Sequence, residues 1–125
     1  MEAMIGGRPM RDILLQISGV AAILVALVHG TLGETKVFAR ATIEPPRLRT
    51  LIRCVWQAGT AAWIGGGVLL IAAPSMRSEP ARHWIIVTIA MVYGVGVLGN
   101  AWWSRGRHLG WMALCAVIVL AVAGY

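Results

Sequence analysis

The sequence predicts an all-α protein, an integral membrane four-transmembrane-helix bundle, on three observations. Apolar residues make up 58% of the 125-residue chain and charged residues only 13%, with a mean hydropathy of +0.75, too oily for a soluble domain of this size. The apolar residues are gathered into four runs, residues 13–32, 51–73, 84–103 and 109–125. Basic segments separate the runs. These runs hold 17 to 23 residues, and at a rise of about 1.5 Å per residue 20 residues match the ~30 Å hydrocarbon layer of a bilayer. Barrel strands need only ~9–11 residues, and a lone strand in lipid leaves its backbone groups unpaired, so helices are the expected element. The whole chain is then one transmembrane domain. A soluble globular domain, a nucleic-acid reader and a disordered tail are excluded.

The first run, residues 13–32, follows Arg8 and Arg11 and superficially resembles a signal peptide. It is longer than the ~7–15 residues of a signal core and no small-x-small site closes it, so it is expected to stay as the first membrane helix. In the second run, Ala58, Ala62 and Gly66 share one face with Ala61 and Gly65 beside them, and the third run offers Ala90 and Gly94. Small residues every four positions let helices approach closely in lipid, so the second and third helices are expected to pack together. The fourth run, at 17 residues, is at the lower limit for a span. Between runs, residues 33–50 form a long basic loop in which Pro45 and Pro46 stop any continuous helix, residues 74–83 contain Pro74 and Pro80, and residues 104–108 force an antiparallel hairpin.

Eleven Lys and Arg against five Asp and Glu give a net charge of +6 and a pI near 10.7. The cations sit at the ends of apolar runs without interleaved aromatics, so they are expected to orient helices and meet lipid headgroups; no nucleic-acid partner is expected. Arg8, Arg11, Arg77 and Arg82 lie on one side; Lys36, Arg40, Arg47, Arg49, Arg53, Arg105 and Arg107 lie on the other. The positive-inside bias then puts the first and third loops in the cytoplasm and both termini outside. Cys54 and Cys115 fall inside apolar runs and read as small buried hydrophobes. Trp84, Trp102, Trp103 and Trp111 lie near run ends and read as interfacial anchors. Trp63 and Trp56 read as core, although Trp56, beside Gln57 and one turn from Arg53, has the position to stack on a guanidinium or a bound ring.

The chemistry-bearing residues are His29, Glu34, Arg53, Gln57, Asn100 and His108. Four-helix topology puts all six at one membrane face, and polar groups in lipid are costly unless they pair or face a bundle interior, so a shared polar cluster is expected. His29 and Glu34 are the catalytic candidates, as a proton-transfer pair. The structural reading of the same residues places them in the headgroup zone with Arg53 neutralising Glu34. No metal site is expected, because a His–Glu spacing of five is not a ligand spacing and no cysteine supports it. No cofactor is predicted; a haem on His29 and His108, as in bundle cytochromes, is the weaker alternative, since the two sit at unequal depth. His83 belongs to the opposite face, beside Arg82 and Trp84.

The stretch His29-Gly-Thr-Leu-Gly-Glu34, the basic proline-containing loop, the segment from Arg53 to Gln57 and Arg107-His108-Leu-Gly-Trp111 together resemble an uncharacterised family of small four-helix bacterial membrane proteins with a His-[Ser/Gly]-x-Leu-Gly-Glu motif. Nearly the whole chain is covered. The family pattern often carries Trp-His where this chain has Trp56-Gln57, which removes one candidate ligand. The resemblance implies the bacterial cytoplasmic (inner) membrane, with periplasmic termini on the charge bias above. It implies no reaction.

The expected function is that of a non-enzymatic accessory or assembly partner of a membrane complex, or of a lipid-associated bundle. Its expected partners are membrane lipids, other membrane subunits or a second copy. The alternative is a small membrane enzyme or carrier using the His29–Glu34 cluster at the cytoplasmic leaflet on a lipid-like substrate. A small multidrug-type transporter ranks last, because no run contains Asp or Glu.

Overall fold

Prolines, caps and left-handed residues set the ends of the helices. The computed structural model describes residues 2–125, with side chains from residue 7 onward; Met1, part of the basic N-terminal stretch, lies outside the described residues. Helix α1, Glu2–Leu32, runs on through a π turn, Gly33–Val37, and one further α turn, Phe38–Arg40. Helix α2, Pro46–Ala72, begins with Pro46 in its first turn, where the missing N–H would be unsatisfied anyway, and closes in a 3-10 turn, Ala73–Met76. Helix α3, Glu79–Ser104, is capped by the Ser78 hydroxyl, which accepts from Ala81 N at 3.3 Å. Helix α4, Leu109–Ala123, is capped by His108 Nδ1, which accepts from Gly110 N at 3.0 Å. Arg77 and Arg105, at φ 48° and 49°, supply the left-handed residues that end helices.

Three helical stretches, Gly7–Arg40, Pro46–Met76 and Glu79–Ser104, are long and apolar enough to cross a membrane. Each outruns its apolar run, because hydropathy ends where charges begin while the hydrogen-bonded ladder ends only at a cap or a proline. Helix α4 is 15 residues long, about 22 Å. It is shorter than the 109–125 run because the chain leaves the helix at Gly124.

Helix α1 is the centre of the packing: it lies along both α2 and α4, while α3 packs mainly on α4 and only lightly on α2. Leu15, Leu70, Tyr93, Leu114 and Val117 fill the interior. Two buried hydroxyls reach across it, Ser18 donating to Val117 O at 2.7 Å and Tyr93 to Trp63 O at 2.5 Å. The outward faces are apolar too, with Leu24, Val28, Val95, Leu98 and Val119 exposed.

The closest helix approach is between α1 and α2 and not, as the small-residue stripes suggest, between α2 and α3. A Cβ on Gly19 would meet Gly67 O at 2.5 Å, and one on Gly67 would meet Gly19 O at 2.7 Å. Between α2 and α3 the Tyr93 ring fills the gap over Gly66 and the Trp63 ring lies against Gly96, and an open apolar groove of about 520 Å³ runs beside Tyr93. The cysteines also differ from expectation: Cys54 is exposed and Cys115 half-buried, both as free thiols.

Candidate functional site

The polar end of the α1–α2 pair is a ladder with a four-residue step. Arg49, Arg53 and Gln57 recur at helical spacing on one face of α2, and their partners step back by the same interval along α1. Arg49 Nη2 donates to Phe38 O. Arg53 grips Glu34 with two contacts, Nε to Oε1 at 2.9 Å and Nη2 to Oε2 at 2.6 Å. Gln57 Nε2 reaches Glu34 Oε1 at 2.7 Å and Gly30 O at 3.3 Å. The regular antiparallel register continues down to the Gly19–Gly67 contact.

Glu34 reaches α2 without the chain leaving the helix after Gly33. Helix α1 instead widens into the π turn Gly33–Val37, and the extra backbone in that turn carries Glu34 over the start of α2. The role of Gly33 is close approach, since a Cβ there would lie 2.2 Å from Trp56 Nε1. The bare backbone lets the indole settle against α1, where Trp56 Nε1 donates to His29 O at 3.2 Å.

The ring stacked on Trp56 is that of His29. The two rings are parallel, with centroids 4.2 Å apart and planes 3° apart. Trp63 lies 4.7 Å from the imidazole on a tilted plane, and Phe38 meets Trp56 edge-on at 5.7 Å. Among the described residues, the imidazole nitrogens of His29 make no hydrogen bond.

Four of the six expected residues, His29, Glu34, Arg53 and Gln57, therefore sit together on α1 and α2. Asn100 and His108 form a separate group at the α3–α4 turn. Asn100 Nδ2 donates to Gly96 O at 2.9 Å and Ser104 Oγ to Asn100 O at 2.6 Å, while His108 is occupied as the cap of α4. Among the described residues, neither hydrogen-bonds to the first four. No group of three His, Cys, Asp or Glu side chains among the described residues is placed to share a metal ion.

Sequence reasoning missed Arg49, Phe38 and the pairing of Trp56 with His29. The spacing of Arg49, Arg53 and Gln57 was the available signal, hidden because the apolar run starts after Arg49. It also missed a second polar knot at the other end of the bundle. There the Arg82 guanidinium, 11% exposed, donates to Gly124 O at 3.1 Å and pairs with Asp12, while Arg11 meets Glu79 at 3.6 Å. His83 lies edge-on to Trp84 and Tyr125 beside it.

Compared with protein-family models, curated proteins and solved structures, this chain matches none.

Proposed function

We propose that this chain is a small multi-pass membrane protein whose polar residues build a helix joint, serving as an accessory or assembly partner of a membrane complex. The observation that carries this reading is the state of Glu34. Its carboxylate is compensated by Arg53 and closed by Gln57, as one rung of the ladder fastening α1 to α2. A carboxylate so engaged is a poor general base, because proton uptake must first break those contacts. Purification in mild detergent followed by native mass measurement tests the reading: co-purifying membrane polypeptides support it, and a chain that is always alone counts against it.

A second reading, a membrane enzyme or carrier acting on a lipid-like substrate, is favoured by one observation. The His29 nitrogens are uncommitted while the ring is held flat by Trp56, the condition of an imidazole poised to exchange a proton. Replacing His29 and Glu34 by alanine separates the two. A lost phenotype at normal protein level supports the site, and lost protein supports the joint.

The resemblance to small bacterial four-helix membrane proteins supports placement in the inner membrane, and the cation bias supports cytoplasmic first and third loops with periplasmic termini. Thr42, exposed in the first loop, offers the test. Thr42→Cys should resist an impermeant thiol reagent in intact cells and react after permeabilisation, with Cys54 replaced by serine in the same background.

A further inference from the structure

The two ends of the bundle handle charge differently. At the end where α1 and α3 finish, Lys36, Arg40, Arg47, Arg49, Arg53, Arg105 and Arg107 face only Glu34 and Glu44. Seven cations against two acids leave +5 there. At the other end Arg8, Arg11, Arg77 and Arg82 stand against Glu2, Asp12 and Glu79, leaving +1. The pairing is uneven as well. Asp12 and Glu79 are both in salt bridges, whereas among the described residues Lys36, Arg40, Arg47, Arg105 and Arg107 make none and all five are exposed. Among the described residues, the one salt bridge at this end engages Glu34 with Arg53.

These five cations are spread over three segments: the end of α1, the start of α2 and the α3–α4 turn. Trp102 and Trp103, 89% and 81% exposed, lie just before that turn, at the level where amphipathic rings settle among headgroups. Dispersed single charges at headgroup depth match a fluid of singly charged ligands. A folded acidic protein would instead meet a concentrated patch.

We propose that this end of the bundle is a docking surface for anionic phospholipid and gathers those lipids around it in preference to zwitterionic ones. The inference rests on the membrane reading above. Uncompensated, the five cations repel one another; acidic headgroups supply the missing counter-charge.

The test uses the full chain reconstituted in vesicles of equimolar phosphatidylcholine and phosphatidylglycerol, with one lipid or the other brominated, and reads quenching of tryptophan fluorescence. Both leaflets have the same composition, so orientation of insertion does not matter. Brominated phosphatidylglycerol is expected to quench more strongly, with an apparent preference of about twofold or more. The preference should fall toward unity as salt rises from about 0.01 M to about 1 M and the screening length shrinks from ~30 Å to ~3 Å. The variant R40Q/R47Q/R105Q/R107Q should lose the preference and R8Q/R77Q should keep it. If the fourfold variant does not fold, the salt series on the unaltered chain carries the test. Equal quenching by both lipids at low salt overturns the proposal, as does a co-purifying acidic polypeptide released by salt when vesicles show no preference. Absence of quenching by either lipid overturns membrane insertion itself, a distinguishable failure.

Discussion

Gly33 and Trp56 fit together with no room for a methyl group between them: a Cβ on Gly33 would stand 2.2 Å from the indole Nε1 and 2.7 Å from Cδ1. The indole cannot yield cheaply, because it is stacked on His29, bonded to His29 O and edged by Phe38.

Gly33→Ala should therefore destabilise the bundle by about 1–3 kcal/mol, the usual cost of overpacking. Denaturation in detergent micelles, followed by tryptophan fluorescence, measures it. Gly59→Ala is the matched control on α2, since a Cβ there meets nothing within 4 Å, and its stability should be unchanged or slightly raised.

Gly19→Ala and Gly67→Ala should each separate α1 from α2, because the obstacles include the partner's backbone carbonyl oxygen, which cannot rotate away as a side chain can. Each is expected to cost about 1–3 kcal/mol. Gly65→Ala, with open space around it, should be tolerated. Equal tolerance of all three would refute the close α1–α2 approach.

The Glu34–Arg53 pair should contribute modestly, since its side chains are 33% and 58% exposed and water screens such a pair. A double-mutant cycle with Glu34→Gln and Arg53→Gln is expected to show a small favourable coupling that shrinks as salt is added. A large, salt-independent coupling would mean the pair is sealed from solvent.

Helix number and type were legible because each apolar run is long and its edges are charged. The rung Glu34–Arg53–Gln57 was also legible, since Arg53 and Gln57 are one turn apart and the motif ends at Glu34. The partner of α2 was not. Small residues occur on several faces of that helix, and spacing alone does not say which face meets Gly19. The Trp56–His29 stack depends on the helix register, which the sequence does not fix. Arg82 and Asp12 are 70 positions apart, beyond any local periodicity.

Removing the acid from that knot should be more costly than removing Glu34. Arg82 is nearly sealed while Asp12 is 36% exposed, so Asp12→Asn is expected to cost about 1–3 kcal/mol, below the ~3–5 of a fully buried broken pair. Thermal unfolding in detergent checks the value. Arg82→Met should cost less, since it removes the charge itself.

Tyr93→Phe keeps the ring over Gly66 but deletes the bond to Trp63 O, leaving a buried carbonyl with one partner fewer. About 1 kcal/mol of stability should be lost, with no change in helix content by circular dichroism.

The Arg82 guanidinium, carried by α3, touches two parts of the chain that are made at different times: Asp12 in α1 and Gly124 just past α4. As the ribosome delivers α3, only the first of these partners already exists, so the arginine emerges half-compensated. The carbonyl that completes its shell arrives 42 residues later. Helix α3 therefore gains its full set of contacts only once α4 has been made, and α4 completes a knot that α1 began.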